Sequence, residues 1–555
     1  MKLILGHEII KDNLNSYVVK DESNFQFISS KTAKKKFKYV KNLEKNIKNF
    51  SLTGKYSKII DKKLSYYRKH LSKELNIIHK TKYNQMYWGL LIDTFLIDFL
   101  GIIISDHDSL KQIKKKYKNL TIEYQEKKFK SYNSHFFTRK EYDPILQKFF
   151  LKETAKVLKL NIKKKEHNFS FYNNIIDKNY FINKFLFFFV KLFIKVFKPI
   201  FVETEYAKLK YKFFDIKLIN GKLYFFSKAK LFAYNYDYDF DLSARNSLKI
   251  KKNLDYIDKI FNGLITTFFP ASYLENFKKI KSDNKVILES LKSFVGTTTY
   301  RINDNIKILI ADMKFEKKKK IIYFSHAPFE DLRKVSKSFN YCKQYSDKYV
   351  NFSKSIKSAF NQHKILNLKP FQFLNPKNKI LIFGTVTRAF NNNNFRITKE
   401  NHPYLSSDLE FYKKLDFKKK NICYVKLFPS IKESYEITKN IWKTKNPNKI
   451  KFIEKNSDFD NFHRFNLLII NEVSTPLFEA LYTKRPFILI YENSFINLKH
   501  SLKMKFLKLR KYKLLFKNSY QASQYINHNL EKYLDNWHDV IMSNEYKEIR
   551  KIVCS

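Results

Sequence analysis

Residues 465–491 read FNLLIINEVSTPLFEALYTKRPFILIY. Two short, wholly apolar runs, 467–470 and 487–490, flank a polar turn and a segment with helical spacing. Apolar runs without alternation bury both faces of a strand, so strand–helix–strand of this kind predicts a parallel sheet covered on both sides. Pro476 suits the first helical position, where its missing N–H costs nothing, which predicts Thr475 as the N-cap of a helix over 476–482. A helix N-terminus at the carboxyl end of a parallel strand presents backbone N–H groups and the positive end of the helix dipole, and favours phosphate. The hydroxyls of Ser474 and Thr475 can add hydrogen bonds. Glu479 lies one turn further, on a face from which a carboxylate can reach a ribose. An ordinary capped helix with an exposed glutamate fits the same spacing.

Working outward, the pattern repeats. Apolar runs at 321–324, 380–383 and 422–425 alternate with helical segments at 406–415, 431–443 and 495–509. The tandem lysines Lys317–Lys320 mark a boundary before them. Upstream, residues 2–5 read as a first strand, 59–105, 142–160 and 180–202 as helices, 111–130 as an exposed charged helix or loop, and 221–231 as strand. The 555 residues are enough for more than one domain, and 44% hydrophobic content is enough for large cores.

The net charge is +56. An anionic partner is one reading of it. Lysine, however, supplies nearly all the positive charge, alongside many Asn, Ile, Phe and Tyr and only 8 Gly, the composition that an AT-rich genome imposes on any protein. Nucleic-acid readers lean on arginine forks, so no specific nucleic acid is expected. Cys342, Cys423 and Cys554 are far apart and suggest neither a disulfide framework nor a zinc site. The opening MKLILGHEII is too short in apolar length for a signal peptide. Residues 87–105 are apolar but carry Asp93 and Asp98, which disfavours a membrane span. Residues 180–202 place Lys184, Lys191, Lys195 and Lys198 in one narrow arc of an amphipathic helix ending near Pro199. Such a helix either packs on the core with a solvated lysine stripe or lies on anionic lipid.

No Gly-rich phosphate loop, HExxH or GxSxG is present, which argues against P-loop enzymes, dinucleotide dehydrogenases, zincins and serine hydrolases of those types. Glu205, Asp237, Asp239 and Asp241 suggest metal ligands, but strand alternation explains their spacing, and no metal is expected.

The Ser474-Thr475 pair, Phe478-Glu479 and the run from Arg485 to Ile490 resemble the C-terminal donor segment of GT-B transferases, in particular CDP-glycerol glycerophosphotransferases and CMP-sugar capsule transferases. Those enzymes carry a basic-x-His-Pro step about two strands earlier, where this chain has Lys426-Leu427-Phe428-Pro429. A broader resemblance, to the leptospiral-type O-antigen-region transferase family, covers most of the chain. It rests on Leu75-Asn76-Ile77-Ile78-His79, Tyr87-Trp88, Phe269-Pro270 with Tyr273-Leu274-Glu275, Ser325-His326-Ala327, Ser346-Asp347-Lys348-Tyr349, Thr385, Arg388, Arg464 and Ser474-Thr475. The family's Gln-His-Gly-Gly turn is Ser325-His326-Ala327-Pro328 here, and Phe428 stands where the basic-x-His-Pro step has His.

The resemblance implies an α/β, GT-B-like chain of two Rossmann-like domains. Residues 1–315 would form an acceptor-side domain with a helical insertion at about 55–200, residues 316–530 the nucleotide-donor domain, and 531–555 a helical tail. It implies a cytoplasmic, metal-independent transferase, peripheral at the inner membrane, that takes a nucleotide-sugar donor, CMP- or CDP-linked, to a lipid-linked or glycan acceptor in surface polysaccharide synthesis. Ser474, Thr475 and Lys426 would hold the phosphates and Glu479 the ribose, with Arg388 and Thr385 assisting. His326 and Asp143 are the candidate catalytic groups. Two other classes stay open: a non-catalytic nucleotide- or glycan-binding member of an assembly complex, and a basic protein that binds nucleic acid or a membrane surface.

Overall fold

The structure, a computed structural model, describes residues 2–4, 17–19, 55–116, 121–124, 144–164, 180–203, 214–227, 238–251, 254–296, 303–325, 327–334, 337–357, 379–384, 398–427, 432–446, 450–453, 465–492, 495 and 498–554. It divides into two compact units. The first is built mainly from Met1–Phe324 with Asn340–Tyr349, the second from Ser325–Phe339, Val350–Ala389 and Thr398–Ser555.

The first unit contains two sheets. Strands β1 (Lys2–Ile4), β2 (Tyr17–Val19), β3 (Thr121–Tyr124) and β4 (Asn161–Lys164) form an all-parallel sheet in the order β2-β1-β3-β4. Strands β3 and β4 fall inside the expected helical insertion of about 55–200, β3 in the segment 111–130 expected as an exposed charged helix or loop and β4 just past the helix expected over 142–160, alongside helices α1 (Lys55–His79), α2 (Gln85–Lys116), α3 (Pro144–Val157) and α4 (Tyr180–Phe197). The chain breaks between α1 and α2, where Lys80 turns left-handed at φ 54° and Asn84 Oδ1 accepts the Tyr87 N–H at 2.8 Å. Among the described residues one apolar stretch, Gln85–Asp108, is by length and composition able to cross a membrane, but 89% of its apolar window is buried inside the protein. Its Asp93 is paired with Arg68, with Nε–Oδ1 2.8 Å and Nη2–Oδ2 2.6 Å.

The second sheet of this unit has strands β5 (Ile200–Glu203), β6 (Phe214–Ile219), β7 (Lys222–Ser227), β8 (Ser293–Gly296), β9 (Lys320–Phe324) and β10 (Lys348–Val350), in the order β10-β9-β8-β5-β7-β6. The β5, β7, β8 and β9 pairings are parallel, and β6 runs antiparallel to β7. The β6–β7 hairpin turns through Asn220 and Gly221, at φ 48° and 69°, the positive-φ pair that a two-residue turn needs. Strand β9 continues the rhythm of apolar runs that follows the lysine cluster, yet it pairs with β8, so the first unit extends to Phe324.

Helices α5 (Tyr256–Phe268), α6 (Phe277–Ser290) and α7 (Asp304–Ala311) complete the core. The motif residues of this unit hold that core together. Trp88 donates its indole N–H to Asn76 Oδ1 at 2.9 Å, His79 Nε2 lies 3.0 Å from Tyr273 O, and Tyr87 donates to Asp312 Oδ1 at 2.6 Å. Asp347 accepts from the Ile321 N–H at 2.7 Å and clips the start of β9. In the acidic stretch, Asp241 caps the short helix Leu242–Ser247 by accepting the Ala244 N–H at 2.9 Å.

The second unit is a single six-stranded sheet, wholly parallel. Strands β11 (Ile380–Gly384), β12 (Cys423–Leu427), β13 (Lys451–Phe452), β14 (Leu467–Ile470), β15 (Phe487–Ile490) and β16 (Leu515–Phe516) lie in the order β13-β12-β11-β14-β15-β16. Counted from β11 that is 3-2-1-4-5-6, the doubly wound order of dinucleotide-binding sheets. Helices α8 (Thr398–Lys414), α9 (Lys432–Lys445) and α10 (Thr475–Thr483) connect the strands. Next in the chain come α11 (His500–Lys508) and α12 (Ser519–Asp535), then the tail helices α13 (Trp537–Met542) and α14 (Asn544–Cys554). The side chains of β14 and β15 are buried throughout, as their unalternating sequence predicts. Both units are thus α/β with Rossmann-type sheets.

Candidate functional site

In an open parallel sheet the chain leaves the first strand toward one edge and returns to start the other half beside it. The loops at the carboxyl ends of those two strands diverge and leave a crevice. In the second unit the two strands are β11 and β14. The loop after β14 runs Asn471-Glu472-Val473-Ser474 into α10. Thr385 and Arg388 follow β11 in sequence, but they lie outside the described residues, as do His326 and Asp143.

The N-cap of α10 is Ser474, one residue before the expected Thr475. Its backbone is extended, at φ −150° and ψ −167°, and its side chain makes no capping hydrogen bond. The Ser474 hydroxyl donates instead to Glu472 O at 3.3 Å. Thr475 is the first helical residue and Pro476 the second. Pro476 therefore still falls in the first turn, where it forfeits no helix hydrogen bond. The dipole end of α10 sits at the crossing point without a side-chain cap, an arrangement that suits an anion.

Glu479 is not on the outer face. It is 4% exposed, and its Oε1 has no hydrogen-bond partner among the described residues. Burial pushes its carboxyl up to about 8, against the pull of Lys426 and Arg485. Lys426 is also not in a loop: β12 runs on to Leu427, so Lys426 is a strand residue, level with Phe383 of β11 and 8% exposed. Arg485, which the sequence reading did not assign to the site, is 5% exposed and donates to Phe465 O at 3.2 Å. Burial lowers its guanidinium to about 10, and Glu479 opposes the shift. The sequence hints to Arg485 are its place directly before Pro486 and β15 and its membership of the run from Arg485 to Ile490 that resembles the donor segment.

A second polar group adjoins the end of β14. Asn471 donates to Asp408 Oδ1 of α8, and Ser407 donates to Asn471 Oδ1 at 3.2 Å. Ser519, at the start of α12, donates to Ser407 O at 2.7 Å. Asp408 and Asn471 are 0% and 2% exposed, and the network fixes where the β14 loop begins. Ser474, Thr475 and Glu479 lie in the first turns of α10, and Lys426, on β12, lies close enough to bias the Glu479 carboxyl.

Beyond β9 the backbone passes through an uncommon conformation. Phe329 adopts φ 67° while 2% exposed, a left-handed conformation that is rare for a bulky residue. Ser325 donates to Ala327 O at 2.9 Å and steadies that segment. In the first unit the corresponding strand crossing lies between β5 and β8, and Glu203, 1% exposed, ends β5 there. Among the described residues no group of three or more His, Cys, Asp or Glu side chains is arranged to hold a metal.

Comparison with curated proteins finds none that matches. Among solved structures the chain is similar to a protein described as a UDP-N-acetylglucosamine 2-epimerase from Listeria monocytogenes, with TM-score 0.29 and 11% identity over 53% of this chain and 80% of that one. It is also similar to the trehalose-6-phosphate synthase OtsA, with TM-score 0.28 and 9% identity over 65% of this chain and 92% of that one. A trehalose-6-phosphate synthase studied with bisubstrate glycomimetics gives TM-score 0.29 and 9% identity over 64% and 97%. Likeness at this level leaves the fold assignment resting on strand order and register. The profile of the LIC12162 family of transferases, by contrast, matches residues 20–555. The chain belongs to the LIC12162 transferase family.

Proposed function

We propose that the second unit binds a nucleotide-activated donor, CMP- or CDP-linked, and that the protein transfers a glycosyl or related group from it to an acceptor hydroxyl in surface polysaccharide synthesis. The observation that carries this reading is the buried Glu479 carboxyl. Its Oε1 has no partner among the described residues, one turn beyond the α10 N-terminus at the crossing of β11 and β14. A buried oxygen left without a hydrogen bond is costly, and a ribose hydroxyl donating to it would remove that cost.

In this arrangement the N–H groups and dipole of α10, with the hydroxyls of Ser474 and Thr475, take the donor phosphate, and Lys426 adds positive charge. The bond between the donated group and the phosphate oxygen breaks, the acceptor oxygen takes its place, and the acceptor proton passes to a base. His326 and Asp143 are the candidates for that base, and Thr385 and Arg388 for further phosphate contacts. The acceptor is a growing glycan or its lipid-linked form.

The test is a thermal-shift panel with CMP, CDP, UDP, GDP and dTDP on the wild type, on Ser474→Ala/Thr475→Ala and on Glu479→Leu, which removes the acceptor oxygen. A ligand at about 100 times its Kd stabilises the folded state by about 2.7 kcal/mol, a shift of a few degrees. The expected result is a shift with one cytidine nucleotide that both variants reduce. Silence across the whole panel would overturn the donor-site reading. A shift without turnover of any donor would place the chain among non-catalytic nucleotide-binding members.

A further inference from the structure

Helix α4 packs against α6; its Val190 and Ile194 are buried, 4% and 0% exposed, and its Phe193 ring centroid lies 6.0 Å from that of Phe225 on the second sheet. Its other side is also apolar, and it faces water. Phe188, Phe189, Leu192, Val196 and Phe197 are 58%, 52%, 47%, 69% and 56% exposed. At about 100° per residue, Phe188, Leu192, Val196 and Phe189 share one arc of roughly 100°.

Strand register extends this surface. Ile216 is opposite Phe225 and Leu218 opposite Leu223, so both residues of the edge strand β6 lie on the sheet face that α4 covers. They are 37% and 71% exposed. Lys191 and Lys195 run along one border of the apolar arc, and Lys198 follows directly after the helix. Lys195 and Lys198 are exposed, while Lys191 is half-buried, and burial lowers its ammonium below the usual lysine value against the pull of Asp283 of α6.

We propose that this face docks the protein on an anionic lipid surface, with α4 lying in the headgroup plane. An apolar stripe bordered by a row of lysines is the pattern of an interfacial helix: apolar side chains enter the acyl boundary while ammonium groups stay with lipid phosphates. Charge selects this occupant over a second copy of the chain. Each copy carries +56, so two copies repel, whereas an anionic bilayer attracts each of them. The inference stands independently of the nucleotide site, since none of its residues lies in the second unit.

The experiment is flotation of the full-length protein with phosphatidylcholine vesicles, with and without phosphatidylglycerol, at low and high salt. The wild type is expected to float with the phosphatidylglycerol vesicles, less so at high salt, and to stay behind with phosphatidylcholine alone. Phe188→Ser/Leu192→Ser/Val196→Ser and, separately, Lys195→Glu/Lys198→Glu are each expected to cut the bound fraction at least about fivefold. Because these side chains are exposed, the thermal midpoint should not move. A wild type that floats with neither vesicle, or a triple-serine variant that floats as the wild type does, overturns the proposal. A wild type that is dimeric in solution and becomes monomeric in the triple-serine variant, with flotation unchanged, assigns the face to a second copy instead.

Discussion

The Glu479 carboxyl lies within the field of the Lys426 ammonium, yet burial outweighs that attraction and pushes the acid up to about 8. Its unfolded value is near 4.5. Between those values the unfolded chain gives up the proton while the folded protein keeps it. A group raised on folding contributes its stability fully below its unfolded pKa and loses it as pH rises toward the folded value. Wild-type stability should therefore fall relative to Glu479→Gln by up to about 1.4 kcal/mol per pH unit across this window, and level off above it. Urea unfolding of both proteins from about pH 5 to about pH 9 checks this. Parallel curves would mean that Glu479 is ionised in the fold.

Arg245 and Glu275 make a second buried pair, this time complete. The guanidinium is 0% exposed and meets the carboxylate at two points, Nε–Oε1 2.6 Å and Nη2–Oε2 3.0 Å. Its Nη1 also donates to Thr266 O and Phe269 O at 2.9 and 3.1 Å, and the Phe240 ring lies 4.4 Å away. Glu275→Ala would leave a buried cation short of its counter-charge, a loss of about 3–5 kcal/mol. Chemical denaturation should show that loss. A change under about 1 kcal/mol would mean that water reaches the pair.

Asn76 is the hub of the α1–α2 junction. Its Oδ1 accepts from Thr81 Oγ1, the Tyr83 N–H and Trp88 Nε1 at 2.9, 3.1 and 2.9 Å, and its Nδ2 donates to Tyr83 O at 2.8 Å. Asn76→Ala orphans these groups together and should cost about 2–4 kcal/mol. Asn76→Asp keeps the acceptor and should cost less than half as much. Equal losses in thermal and urea unfolding would show that the amide donor, not the acceptor, holds the junction.

These cases show what the sequence makes legible. Strands β14 and β15 are readable because burial on both faces leaves no polar positions in them. Strands β3 and β4, TIEY and NIKK, carry charges in four residues each and have no such signature. Strands β13 and β16 are two residues long, below any periodicity. Strand β9 is readable as a strand, but its partner is not, because an apolar run does not specify which sheet it joins. At the site, the Ser-Thr-Pro step locates a helix start to within one residue. Helical spacing alone left Glu479 open between a ribose-reaching face and a solvent-exposed one. Neither anticipates its burial, and of the two cations that act on the buried carboxyl Arg485 is close in sequence but Lys426, on another strand, is not.

The chain's last helices act on the other end of the site helix. Helix α10 stops where Lys484 turns left-handed at φ 59°. Trp537 of α13 donates to Lys484 O at 2.8 Å. Arg550 of α14 donates to Leu481 O and Tyr482 O at 3.0 and 3.4 Å. A cation on the last carbonyls satisfies orphan acceptors and complements the negative end of the dipole. The tail thus anchors the helix whose N-terminus carries Ser474 and Thr475. Arg550→Ala should cost about 1–2 kcal/mol, and Trp537→Ala, which also empties a buried site, about 3–5 kcal/mol. If α10 positions the donor, Arg550→Ala should weaken nucleotide binding by a few-fold at a temperature where the protein remains folded, as isothermal titration would read. Conservative replacement by lysine should restore part of it. Unchanged affinity alongside lost stability would confine the tail to holding the fold and separate it from the site.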